Sequence, residues 1–451
     1  MKCQNSTHIP FIYIPKQLQN TTYVLISQNV ERWFPFPKEY YDTDREYEVD
    51  PRMDVIHTAC VDLRSASSYH SFFVRSIRNE TLVQNKKKQM HQYLHEREEK
   101  ESVPVMEDMK RKRLNDQPLD IHVILVDSTS RSFFERQFVH SKQALGQLKN
   151  KHGDVIDVID FSEYQIVGFN TVINMYQFSS GVSAVDEDQH FRSVTKRRLE
   201  GHPMTIPFLW DHLKEMGYVT SVGGDMGESY KTAGTMYGYK DQVLTFDLYP
   251  SFHKVAHYVE DALKYRYVYE WPMCPCVGSR FMSDVTFEFA RSMFQAYHDT
   301  PKFLMTLHNE AHTILGTQSM MLDRDLSEYL THLGESGKLN QTAVLILADH
   351  GMHYGGHFHN NPKQALIEHG RPLATLILPK YVTSDELRSN ANRTVNIRDF
   401  HMTLRDIASF PIRSSPKGTP VAQSLLHDLI PSKRTCEQMR VDPKYREACT
   451  Q

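Results

Sequence analysis

An aspartate and a histidine standing side by side at the end of an apolar run are the pair in this chain best placed to do chemistry. Ala348-Asp349-His350-Gly351 follows Thr342-Ala343-Val344-Leu345-Ile346-Leu347, a run that reads as a buried parallel strand. A carboxylate and an imidazole leaving a sheet together, before a glycine that lets the backbone turn away, stand where open α/β sheets place ligands and metals. A second strand-like run, Ile121-His122-Val123-Ile124-Leu125-Val126, also ends in an aspartate, Asp127, within the polar segment Asp127-Ser128-Thr129-Ser130. Two such strand ends can meet over one cation.

Two further groups carry chemistry by spacing. Asn170-Thr171-Val172-Ile173-Asn174 opens a segment with helical apolar spacing that closes at Gly181. Asn170 can cap that helix, which leaves Thr171 in the first turn, where free N–H groups and the positive end of the dipole favour a bound phosphoryl or sulfuryl group. The hydroxyl becomes a nucleophile only with a cation or a base to stabilise its alkoxide, and Asn-Thr is also an ordinary helix cap. The other group follows the run Phe303-Leu304-Met305-Thr306-Leu307, in His308-Asn309-Glu310-Ala311-His312. A helical turn there would put His308 and His312 on one face, as metal sites often require. With 24 histidines in the chain some coincidental spacing is certain, and the same reserve covers His353, His357 and His359, one of which can serve as a ligand.

The elements that must position these residues follow from the pattern along the chain. The 451 residues, 40% of them hydrophobic, suffice for a large packed α/β core. From Ile121 onward, strand runs alternate with helical stretches: Tyr218-Val219-Thr220-Ser221-Val222, Phe303 to Leu307, Ala343 to Leu347, and Leu373 to Leu378. Such alternation predicts a mostly parallel sheet sandwiched by helices. We therefore divide the chain into an N-terminal accessory region with a charged linker (1–115), the α/β core (116–430) and a cysteine-bracketed C-terminal tail (431–451). The run from Lys86 to Arg113, with basic and acidic residues alternating, reads as a solvated helix or linker.

A formal charge of -3 leaves no nucleic-acid or anionic-membrane footprint in the totals. No apolar run approaches the length of about 20 residues needed to span a bilayer, and the first residues show no apolar core of a secretory signal. Cysteines and sequons point the other way. Cys3 and Cys60, Cys274 and Cys276, and Cys436 and Cys449 make an even set of six, and local pairing is easy for the first and last pairs. Asn-x-Ser/Thr acceptors at Asn5, Asn20, Asn79, Asn340 and Asn392 suit a secreted or lumenal glycoprotein, so the expected location is extracellular or the secretory-pathway lumen, with any leader lying outside this sequence. The sequence carries no sign of the oligomeric state.

Taken in order along the chain, the four chemical segments resemble the alkaline phosphatase superfamily, which includes phosphatases, nucleotide pyrophosphatases, phosphopentomutases and sulfatases. More closely, the span from Cys60 to the tail resembles the animal family catalogued as domain of unknown function 229. That pattern lies in Leu125-Val126-Asp127-Ser128-Thr129-Ser130-Arg131, Asn170-Thr171, Lys214-Glu215-Met216-Gly217-Tyr218-Val219-Thr220, Ala348-Asp349-His350-Gly351 and Arg434-Thr435-Cys436-Glu437.

The resemblance implies an alkaline-phosphatase-like sheet with Thr171 as nucleophile. It also implies a divalent metal, zinc favoured and manganese possible, on Asp127, Asp349 and His350, and a second cation on His308 and His312. Asn170 and Lys363 would bind substrate, a small or glycan- or lipid-linked phosphate or sulfate ester, with the phosphoester favoured. Formylglycine sulfatases need Cys-x-Pro-x-Arg or its serine version at the nucleophile, which this chain lacks. Where the domain of unknown function 229 family has His-Asp after the strand ending near Leu307, this chain has His308-Asn309, which weakens the second metal site. The alternative expectation is a secreted binding or structural protein on the same scaffold without turnover.

Overall fold

The computed structural model describes residues 8–14, 32–35, 55–62, 68–98, 118–183, 207–224, 246–247, 276–277, 280–313, 316–353 and 355–446. Four strands come first: β1 (His8–Ile14), β2 (Arg32–Pro35), β3 (Val55–Asp62) and β4 (Ser68–Val74), an antiparallel sheet in the order β2-β1-β3-β4. The helix Glu80–Glu98 follows, overlapping the stretch from Lys86 read as a solvated helix or linker. It is not solvated all round, because Val83 and Met90 are buried and the half-sunk Lys86 ammonium donates to the Lys214 carbonyl at 3.2 Å. Gly217 makes that approach possible: its φ is +89°, and a Cβ there would lie 2.7 Å from the Lys86 carbonyl oxygen.

The central sheet is built from β5 (Asp120–Val126), β6 (Ile156–Asp160), β8 (Val219–Gly224), β9 (Phe246–Asp247), β12 (Lys302–His308), β13 (Thr342–Leu347) and β14 (Ala374–Pro379). Short pairs lie outside it, β7 (Tyr164–Gln165) with β15 (Val395–Asn396) and β10 (Cys276–Val277) with β11 (Arg280–Phe281). The order across the sheet is β6-β14-β13-β5-β12-β8-β9, and β14 alone runs against the rest. β5, β12 and β13 are buried along nearly their whole length, as expected of strands covered on both faces.

Alternate residues of each strand face two apolar layers. Val123, Leu125, Met305, Leu345 and Leu347 meet helices Thr171–Ser180, Leu209–Glu215 and Ile397–Ala408; Ile124, Val126, Leu304 and Ile346 meet Val139–His152, Met282–Ala296 and Ser319–Glu335. A mixed α/β architecture with a mostly parallel sheet between helices is thus the fold of this chain.

Buried histidines sit in both layers, and burial pushes His122 and His401 down to about 3. His122 lies between Thr306 and Tyr329, while His401 donates from Nδ1 to the Phe178 carbonyl at 2.8 Å. Below pH 6.5 the unfolded chain takes up protons at these rings that the folded chain refuses until about pH 3. Stability should therefore fall across that window by about 1 kcal/mol per histidine for each pH unit. Urea midpoints at pH 7 and pH 4.5 measure it; equal midpoints would contradict the assignment.

Candidate functional site

β5 delivers Asp127 at its carboxyl end, and the chain turns at once. Ser128 adopts φ 58°, a left-handed conformation that a non-glycine residue takes only under constraint. The turn aims the Ser128 N–H at Asp349 Oδ1 (3.3 Å) and its hydroxyl at Asp127 Oδ1 (2.8 Å). Ser130 then caps the helix Arg131–Gln137 by accepting from the Phe133 N–H.

β13, hydrogen-bonded alongside β5, delivers Asp349 and His350 to the same edge. Both are fully buried, and Asp349 Oδ1 also accepts from the His350 N–H at 2.9 Å. Burial, and next the charge of Asp127, push the Asp349 carboxyl up, against the pull of His350. His350 donates from Nδ1 to the Gly351 carbonyl at 2.9 Å, which leaves its Nε2 lone pair facing inward. The same carbonyl accepts from His369 Nδ1 at 2.8 Å, so one oxygen orients two imidazoles.

Gly351 is required by contact: a Cβ there would lie 2.2 Å from the Glu368 carbonyl oxygen and 2.9 Å from the His369 Cα. Because those atoms are backbone, the loop rather than a rotamer must give. Gly351→Ala should cost about 1–3 kcal/mol, read from its urea midpoint. An unaltered midpoint would mean the loop relaxes freely.

The third contributor is the helix Thr171–Ser180. Asn170 Oδ1 accepts from the Ile173 N–H at 3.3 Å, and Asn174 clamps the preceding loop, its Oδ1 taking the Val167 and Gly168 N–H groups and its amide donating to the Gly168 and Asn170 carbonyls. This presents Thr171 Oγ1 3.1 Å from His350 Nε2 and 3.4 Å from Asp127 Oδ2. With His350 Nδ1 protonated, the hydroxyl can donate to Nε2. Asp127, Asp349 and His350 each offer a ligand atom within 4.8 Å of the others. Two buried carboxylates in such proximity call for positive charge, and the mixed oxygen and nitrogen donors suit zinc or manganese better than calcium.

The structure brings Asp127, Thr171, Asp349 and His350 together, with Asn170 capping beside them. It does not bring His308 there. That ring stacks on Phe287 at 4.6 Å in the helix layer, its Nε2 bonds to Thr306 Oγ1 at 3.2 Å, and burial holds it down at about 3. His312 lies 5.7 Å from His353, ring to ring, after a turn rather than on a helix. Lys363 is exposed in the first turn of helix Pro362–Gly370.

His353, one of the three loop histidines considered as a ligand, and His369, which no spacing singled out, form with His350 a second group of ligand atoms within 4.8 Å. Burial pushes His353 to about 4 and His369 to about 3, so both are neutral near pH 7. Of the sequons, Asn79, Asn340 and Asn392 are exposed, while Asn5 and Asn20 lie outside the described residues. Cys436 is disulfide-bonded; Cys3, Cys274 and Cys449 lie outside the described residues.

A family model described as "Protein of unknown function (DUF229)" matches residues 18–451. No curated protein matches the chain. Among solved structures it is similar to the lipoteichoic acid synthase LtaP from Listeria monocytogenes, at TM-score 0.44 and 10% identity over 70% of this chain and 74% of that one. It is also similar to the C-terminal periplasmic domain of EcEptC from Escherichia coli (TM-score 0.44, 12% identity, 71% and 88% covered). A protein in the alkaline phosphatase superfamily from Vibrio parahaemolyticus gives TM-score 0.43 and 15% identity, with 66% and 68% covered. These likenesses are too loose to carry chemistry to this chain.

Proposed function

We propose that this chain, which belongs to the family described as protein of unknown function (DUF229), is a metal-dependent hydrolase or transferase of phosphate esters with Thr171 as its nucleophile. The observation that carries the reading is the position of the Thr171 hydroxyl, 3.1 Å from His350 Nε2 at the mouth of a helix beside two buried carboxylates. Asp127, Asp349 and His350 would hold a zinc or manganese ion. Such an ion supplies Lewis acidity, favouring the threonine alkoxide and neutralising charge on the phosphoryl oxygens.

The chain's own groups then have separate tasks. Thr171 Oγ1 attacks phosphorus and its proton leaves to solvent water, His350 Nε2 being taken up as a ligand; the ester P–O bond breaks, and the departing oxygen takes up a proton. The first N–H groups of helix Thr171–Ser180 face the phosphoryl oxygens. Water or an acceptor alcohol releases the phosphothreonine, as hydrolysis or transfer. The neutral rings of His353 and His369 line the other side, with His312 beyond His353, as hydrogen-bonding groups or further metal ligands. Asn170 holds the helix start, and Lys363 would reach the phosphoryl group only from the rim. The disulfide at Cys436 and the exposed sequons support an extracellular or lumenal location.

A second reading, a binding or structural protein without turnover, is favoured by Asn309 and by the withdrawal of His308 into the helix layer, which together leave the expected second cation only His312 of its two expected ligands. The two are separated by metal analysis of the purified protein and by hydrolysis of bis(4-nitrophenyl) phosphate and 4-nitrophenyl sulfate with zinc or manganese supplied. The enzyme reading expects bound metal and preferential cleavage of the phosphodiester. Neither metal nor turnover would end it.

A further inference from the structure

The segment expected as a stapled tail reaches the site itself. Met439, Val441 and Tyr445 are buried in the same apolar layer as helix Thr171–Ser180. Two backbone ties hold the segment: the buried Arg398 guanidinium, which also donates to Gln177 Oε1, donates to the Met439 carbonyl, and the Asp442 N–H donates to the Val167 carbonyl at 3.1 Å. Val167 lies in the loop that Asn174 clamps before Thr171. The short turn Pro443–Tyr445, capped by Asp442, is thereby set against the site.

The side chains of that turn meet the site's rings. Tyr445 packs nearly parallel to Phe169 (6.3 Å, 21°) and 5.2 Å from His369, whose ring is 5.2 Å from that of His350. Its buried hydroxyl has no hydrogen-bond partner among the described residues. Lys444 is exposed, with its Nζ 5.1 Å from the Phe169 ring centre and 5.8 Å from that of Tyr445. Other cations nearby are committed elsewhere: Arg131 pairs with Asp160 and Arg136 with Glu368. Lys444 pairs with no carboxylate among the described residues. Lys363, exposed on helix Pro362–Gly370, touches none of these rings among the described residues.

We propose that the turn Pro443–Tyr445 is a wall of the substrate site, in which Tyr445 backs His369 and Lys444 contacts a second anionic group on the substrate. The preferred ester then carries, on its alcohol portion, a carboxylate, sulfate or further phosphate. This rests on the phosphate-ester reading above and names its substrate class. An aromatic face under an ammonium holds the ammonium in place, and a solvent-exposed charge pair is worth little more than a modest selectivity.

The test is calorimetric titration with two unreactive probes, phenylphosphonate and 4-carboxyphenylphosphonate, with zinc present. The wild type should bind the carboxylated probe about fivefold more tightly. In Lys444→Ala that ratio should fall to about one, in Lys444→Glu invert, and in Lys444→Arg return. The side chain is exposed, so these variants should fold as the wild type does. A wild-type ratio of about one, or a ratio that survives in Lys444→Ala, overturns the proposal while leaving the phosphate-ester reading intact. Failure of the wild type to bind either probe overturns both together.

Discussion

Thr171→Ala should lose phosphodiester turnover by a factor on the order of 10³ or more while keeping its metal and its fold. Asp127, Asp349 and His350 are untouched by the change, and Asn170 still caps the helix through the Ile173 N–H. Thr171→Ser, which keeps the hydroxyl, should stay within about tenfold of the wild type. The informative measurement is kcat with the metal content of each sample determined alongside. An alanine variant that retains a tenth of the rate with full metal occupancy would remove Thr171 from the nucleophile's role, and the hydroxyl's contact with His350 would then be only a helix-start hydrogen bond.

The second large effect is expected at Asp349. Asparagine keeps the shape and one oxygen to accept from the Ser128 and His350 N–H groups, but it removes one of two negative charges buried in near contact. Asp349→Asn should lose cation affinity and, with it, turnover. The readout independent of rate is thermal unfolding: at a zinc concentration about 100 times the wild-type Kd, the wild type should gain about 2.7 kcal/mol and the variant almost none. Without metal the variant should be no less stable than the wild type, because relieving the carboxylate repulsion offsets any lost hydrogen bonding. A variant that is still stabilised by zinc to the same extent would place the ion elsewhere, the His350–His353–His369 group being the next place to look.

The sheet was legible because its strands are buried on both faces and therefore appear as unbroken apolar runs. Each run from Ile121 to Leu378 falls on a strand within a residue or two. The reversed direction of β14 was not legible, since a strand's composition is the same whichever way it points. Asp127, Thr171, Asp349 and His350 stand out as candidates in the sequence because each sits where an element begins or ends.

His308 misled for a reason of parity. It shares its side of β12 with Leu304 and Thr306, so it faces Phe287 and the helices rather than the site. Its four-residue spacing to His312 has meaning only on a helix, and the chain there makes a turn closed by the His312 N–H on the Asn309 carbonyl at 2.8 Å. His369 was invisible for the opposite reason, because what brings it to His350 is a shared backbone oxygen at Gly351 rather than any spacing. In the N-terminal helix, the charges that suggest solvent outnumber the apolar residues, Val83 and Met90 among them, that fix its buried side.

The tie between Asp442 and Val167 has a consequence for how this protein matures in the cell. A ribosome releases Thr171 into its folding environment long before it synthesises Tyr445, so the hydroxyl at the helix start must wait, with part of its enclosure missing, until the stretch that carries Asp442 has been made. A polypeptide interrupted anywhere before Asp442 would therefore leave the ribosome without the Val167 tie.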